Sequence, residues 1–367
     1  MLPVTASEYI EMLEVSWKTK LPLMTYGGPG VGKSECPREL APKLAKELDR
    51  TLVEWAHLSE ADKKDAIRNA EKYFIFCDQR IGGMDSTDLR GLPKFSEDWL
   101  VTTPYSWIGY FTTPGAAGII FLDEINLAPP TVAGQAYELI LTRTIADRRL
   151  ADDVLVIAAG NRASDKAFTF EMPAPLRDRF NEIELRPDVK SWTEWAGRNN
   201  VNPHLISFVN WKEMYLYTLD KVKNGEKGSS PRSIVRASTL IGDHDITSNI
   251  VRKYLTASCG TAFAVEFQAY VKHYKSLNWN KIFKDPSSVS GFSVDKCWAI
   301  AGGLVEHFNK KDDLFDTLMD VLAHMRDDFA IVALKLLISS DVKKFRALAN
   351  KSKNFPTIVS KYGKYVI

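Results

Sequence analysis

The sequence predicts an α/β half built on a parallel sheet covered on both faces, followed by an all-α half. Three observations carry this. Short apolar runs alternate with longer helical patterns through the first half, and a glycine-rich string stands between one such run and the helical pattern after it. From about Arg186 onward, apolar residues recur only at helical spacing.

Taken in order, the strand-like runs are residues 21–26, 73–77, 118–122 and 154–159. Leu40, Leu44 and Leu48 follow the first run at helical spacing, with Pro42 expected to kink that helix. Residues 60–72 form a charged helical insertion before the second strand. Pro129 and Pro130 suit a helix start, with Val132, Leu139 and Ile140 on the inward face. In the second half, residues 192–195, 233–241 and 314–338 read as helical. Pro, Ser and Gly cluster at 285–291, the best linker candidate, so the helical half is divided near Leu277. The expected domains are an α/β core at 1–185, a helical domain at 186–277 and a further helical region at 278–367.

At 367 residues the chain exceeds the ~100 to 200 residues usual for one domain. A hydrophobic content of 45% and a charged content of 26% match an ordinary globular protein and exclude global disorder. The net charge of +2 gives no reason to expect nucleic acid as a partner. The last residues differ from the rest, since 341–367 hold seven Lys or Arg against one Asp, which reads as a solvated helical face or as a surface for an anionic partner. Four scattered cysteines fit reduced thiols, and neither they nor the histidines show metal-ligand spacing. No apolar run approaches the ~20 residues of a membrane span and no basic-then-apolar leader opens the chain, so a cytoplasmic location without membrane contact is expected.

The string GGPGVGKS at 27–34 fits G-x-x-x-x-G-K-[ST] in full. Its glycines allow backbone N–H groups to converge on phosphates, Lys33 can reach the outer phosphates, and the Ser34 hydroxyl can ligate Mg²⁺. The expected nucleotide-binding residues are Gly27, Gly28, Pro29, Gly30, Val31, Gly32, Lys33, Ser34 and Glu35, with ATP as the nucleotide. Asp123 and Glu124 end the run 118–122, where open α/β sheets bind ligands. Asp123 would orient Mg²⁺ together with Ser34, and Glu124 would polarise the attacking water.

Three further signals are weaker alone. Asn161 ends the run 154–159 and could hold the water or the γ-phosphate, or simply form a Gly-Asn turn. Arg177 and Arg179 could reach a γ-phosphate across a subunit boundary, or pair with surface acids. Arg232, beside Pro231 at a helix start, could face the nucleotide or be an ordinary first-turn arginine.

Together, GGPGVGKS, FLDEINLAPP (121–130), VIAAGNR (156–162), PAPLRDRF (173–180) and SPRS (230–233) resemble the AAA+ ATPases, most closely the MoxR branch, over roughly residues 5–270. The resemblance implies an AAA+ P-loop core with a parallel five-stranded sheet, an all-α lid and an additional helical C-terminal region. It gives Asn161 the sensor 1 role and Arg232 the sensor 2 role. It places the arginine finger in the RDRF segment, at Arg179 with Arg177 as the alternative. It also implies an ATP hydrolase working at the subunit interfaces of a ring, commonly a hexamer, with chaperone-like remodelling of a protein partner, often one carrying a von Willebrand factor A domain. The residues Asp88-Leu-Arg-Gly91 look like the family segment near the ring's central opening. The aromatics Tyr105, Trp107, Tyr110 and Phe111 that follow either pack under a loop or touch a substrate. Rival readings are a nucleotide-gated scaffold subunit with little turnover and a DNA-directed AAA+ motor.

Overall fold

The computed structural model describes residues 1–96, 99–104, 106–162, 172, 174–222 and 225–366. They form two compact units, Met1–Arg186 and Pro187–Ile367.

The first unit is a three-layer α/β fold around a parallel sheet. Its strands are β1 (Leu2–Val4), β2 (Leu23–Tyr26), β3 (Thr51–Glu54), β4 (Tyr73–Arg80), β5 (Ala117–Asp123), β6 (Asp153–Gly160) and β7 (Asn181–Leu185), in the order β1-β7-β2-β6-β5-β4-β3. All six pairings are parallel. The sheet therefore has seven strands where five were expected. β1 adds a strand beyond β7, and β3 lies outside β4 at the other edge. The central strands match the apolar runs because both their faces are covered: every residue of β5 before Asp123 is buried, as is every residue of β6 after Asp153.

Helices form where the spacing and caps indicate. Glu35–Glu47 runs through Pro42 without interruption, burying Leu40 and Leu44. Pro130–Thr142 starts with Pro130 at its first turn and buries Val132, Leu139 and Ile140. The charged insertion is helix Glu60–Arg68 followed by a 3-10 turn, Ala70–Lys72. Two antiparallel hairpins project from this unit, Leu92–Ser96 with Trp99–Thr103 and Thr144–Ile145 with Arg148–Arg149.

The second unit has only helices among its described residues. Its apolar core is continuous from Trp192 to Tyr362, and Val294–Lys310 packs against Pro203–Trp211, Thr261–Lys275 and Asp327–Ser340. The expected linker at 285–291 is a 3-10 helix, Pro286–Gly291, anchored by buried Val289. No break in the core falls near residue 277, which is itself part of it. Across the described residues, no helix is long and apolar enough to cross a membrane.

A polar knot ties both sides of residue 277 together. His204 Nε2 lies 2.8 Å from Glu306 Oε2, Tyr274 donates its hydroxyl to the same oxygen at 2.7 Å, and His204 Nδ1 meets the Tyr270 hydroxyl at 2.9 Å. The His204 ring, with help from Lys310 and Tyr274, holds the Glu306 carboxyl well below the ordinary carboxylate range against the opposing effect of burial. A depressed carboxyl stabilises the fold above its unfolded pKa of about 4.3, and that stabilisation is lost as pH falls toward the folded value. Glu306→Gln is therefore expected to cost about 1.5–3 kcal/mol at pH 7. In urea titrations, the gap between wild type and variant should narrow progressively below about pH 4.3. A gap of constant size between pH 7 and pH 3 would exclude this role for Glu306.

Candidate active site at the carboxyl edge of the sheet

The site is assembled at the C-terminal ends of four adjacent strands. In register, Tyr26 of β2 lies beside Gly160 of β6, Ala158 beside Leu122 of β5, and Asp123 beside Arg80 of β4. The glycine-rich loop, the acidic pair and Asn161 thus leave the sheet at one edge. This is the crevice position where open α/β sheets bind ligands.

The loop closes tightly after β2. Gly30 and Gly32 adopt φ of 75° and 108°, a region costly for any residue with a Cβ. Gly27, Gly28, Gly30 and Val31 are buried, Pro29 is exposed, and Glu35 begins the helix. Ser34 occupies the N-cap position, but its side chain makes no capping hydrogen bond. The first-turn N–H groups and the helix dipole at this end favour an anion. Lys33 is only 9% exposed, and its ammonium donates to Gly27 O at 2.6 Å, to Gly28 O at 3.2 Å and to Asn161 Oδ1 at 3.2 Å. The loop thus holds its cation at the mouth of the cradle, in contact with Asn161.

The acidic pair sits on a strained turn. Glu124 has φ 57° and ψ 32°, the left-handed region, which costs a non-glycine residue about 1–3 kcal/mol. Its N–H donates to Asp123 Oδ1 at 2.9 Å, and its carbonyl accepts from Leu127 N at 2.8 Å, which starts the 3-10 turn Ile125–Leu127. Both carboxylates are half-buried. Burial and the neighbouring Asp123 push the Asp78 carboxyl up, while Arg38 lies 3.6 Å from it and 2.8 Å from Glu54. Sequence reading passed over Asp78 and Arg38, which lie outside every recognisable string.

The donor set fits Mg²⁺. Ser34 and Asp123 offer hard oxygens, the donors that Mg²⁺ takes. Few protein ligands, with phosphates and waters completing the shell, is the manner in which Mg²⁺ is held at nucleotide sites.

The remaining candidates separate. Asn161 follows β6 and is half-buried, with its backbone bonded to buried Asn126. Arg177 ends helix Ala174–Arg177 and grips Glu182 with two nitrogens, at 3.1 and 2.8 Å. Arg179, in the following turn, is exposed and makes no ion pair among the described residues. Arg232 lies in the second unit, exposed in the first turn of Pro231–Ile241, whose N-cap Ser230 forms a capping box with Ser233. Trp107, Tyr110 and Phe111 are buried in the core of the first unit, and the Tyr110 hydroxyl bonds Tyr73 O, so they pack rather than contact a substrate. Tyr105 and Pro173 lie outside the described residues. The exposed apolar residues of this region are Leu92 and Phe95, the latter 81% exposed, which sequence reading missed.

Residues 23–187 match the family described as "ATPase family associated with various cellular activities (AAA)". No curated protein matches the chain. Solved structures similar to it include the Thermotoga maritima RuvB Holliday junction branch migration motor, at 17% identity over 69% of this chain and 68% of that one, with a TM-score of 0.29. NtrX from Brucella abortus in complex with ADP shows 11% identity, 98% and 68% coverage and a TM-score of 0.35. The Aeropyrum pernix ORC2 protein, in ADPNP–ADP complexes, shows 14% identity, 94% and 85% coverage and a TM-score of 0.36. Residues 23–187, nearly all of them in the first unit, are thus a domain of the AAA ATPase family, the kind of domain that hydrolyses ATP.

Proposed function

We propose that the protein is a ring-forming, MoxR-like ATPase that hydrolyses ATP between neighbouring copies of itself and uses the cycle to remodel a protein partner. The observation that carries the catalytic part is the meeting of Lys33 with Asn161 at 3.2 Å, at the sheet edge where Asp123 and Glu124 also emerge. Gly27 to Glu35 cradle the phosphates, and Ser34 and Asp123 would hold Mg²⁺. Bound there, the ion would help neutralise the charge that develops on the phosphates. Glu124 takes the proton of the attacking water, and Asn161 fixes that water against the γ-phosphate. Arg179 reaches the γ-phosphate of the adjacent copy, and Arg232 reports nucleotide state to a lid at 186–277.

Exposed Leu92 and Phe95, on the strand after Asp88-Leu-Arg-Gly91, support a remodelling role, because exposed apolar side chains together mark surfaces that contact other proteins. A hexamer is the ring size this reading favours, and a von Willebrand factor A protein its partner. Turnover per chain is the test. Shared sites require it to rise steeply over the concentration range in which light scattering detects assembly. Constant turnover per chain from monomer to assembled material would overturn the interface reading.

A further inference from the structure

Asn126 stands in a turn and carries no role in the reading above, yet it is only 8% exposed and spends its whole side chain on one neighbour. Its Nδ2 donates to Asn161 O at 2.8 Å, and its Oδ1 accepts from Asn161 N at 3.1 Å. The two bonds satisfy both backbone groups of Asn161 just where β6 ends and the ladder no longer supplies partners. They also fix which way the Asn126 amide faces, since only one orientation serves both. Gly160 completes the fit, because a Cβ there would lie 2.8 Å from Asn126 Oδ1.

We infer that Asn126 is a positioning residue for ATP hydrolysis, clamping the backbone of Asn161 to the same turn that carries Glu124. Asn161 is then held from two sides, its side chain by Lys33 and its backbone by Asn126. A triphosphate in the cradle draws the Lys33 ammonium to itself, and the Asn126 clamp is what remains to keep Asn161 in place. Because Glu124 and Asn126 sit on one short turn, the proton acceptor and the residue that fixes the water keep a constant spacing. This inference rests on the assignment of Asn161 to hydrolysis.

The experiment compares Asn126→Ala, Gly160→Ala, the double variant and Asn161→Ala, each with ATP affinity by calorimetry and kcat at saturating ATP. Asn126→Ala is expected to lower kcat about 100-fold, the scale of a misplaced catalytic group, with affinity within about threefold of wild type. Gly160→Ala should give the same split, since its methyl meets the Asn126 amide oxygen most closely, at 2.8 Å, with the flexible end of Met24 next at 3.0 Å. It also keeps the test open if Asn126→Ala folds poorly. In the double variant the clash with Asn126 is gone and only the flexible end of Met24 stays close, so the second substitution should add little, a non-additivity that general loss of packing does not produce. Wild-type kcat in Asn126→Ala, with Asn161→Ala strongly impaired, would overturn the clamp and leave the proposed function standing. Wild-type kcat in Asn161→Ala would remove the assignment on which the clamp depends.

Discussion

Glu124→Gln is expected to bind ATP within about threefold of wild type while hydrolysing it about 10²–10⁴-fold more slowly, the range attributed to a positioned general base. Gln matches Glu in size and tolerates the left-handed backbone of residue 124 no worse, so the turn that holds Asp123 and Asn126 should survive. What disappears is the ability to accept a proton from water. Lys33→Ala provides the contrast, because it removes a nearly buried cation that bridges the loop to Asn161. That variant should lose binding as well as turnover. Calorimetry for affinity and single-turnover hydrolysis for the chemical step separate the two. Wild-type turnover in Glu124→Gln would remove Glu124 from the reaction.

The strands legible in the sequence are those buried on both faces, since only they give unbroken apolar runs. β1, β3 and β7 were missed for a physical reason: β1 and β3 lie at the sheet edges, with at most one buried residue between them, and β7 alternates acidic with apolar side chains. The site shows the same division. Residues contiguous in a string, such as 27–35 or 123–124, are readable because their chemistry depends on spacing along the chain. Contacts between strings are not: Lys33 lies 128 residues from Asn161, and Asn126 lies 35 from it. Nor does anything in the sequence announce the left-handed turn at Glu124, where no glycine or asparagine marks the position. The aromatics at 107–111 misdirected the reading because a ring's chemistry is the same under a loop as beside a substrate. Only their burial settles the matter.

The choice between Arg177 and Arg179 turns on what each already holds. Arg177 is committed to Glu182 by two hydrogen bonds, and freeing it means breaking a charge-assisted pair on a side chain that is 53% exposed. Arg179 has no such tie among the described residues and faces solvent, the condition required of a group that must enter another copy's site. Arg179→Ala is therefore expected to lower kcat about 10³-fold or more, the scale of arginine fingers, whereas Arg177→Ala should cost less than about tenfold. Mixing tests the geometry directly. In a ring of Arg179→Ala and Glu124→Gln subunits, an Arg179→Ala copy keeps its own Glu124 and receives an intact arginine from a Glu124→Gln neighbour. Turnover should reappear at those junctions although each variant alone is nearly silent. If Arg179 served the nucleotide of its own chain, no mixture could unite the two intact groups at one site, and activity would stay at the sum of the parts.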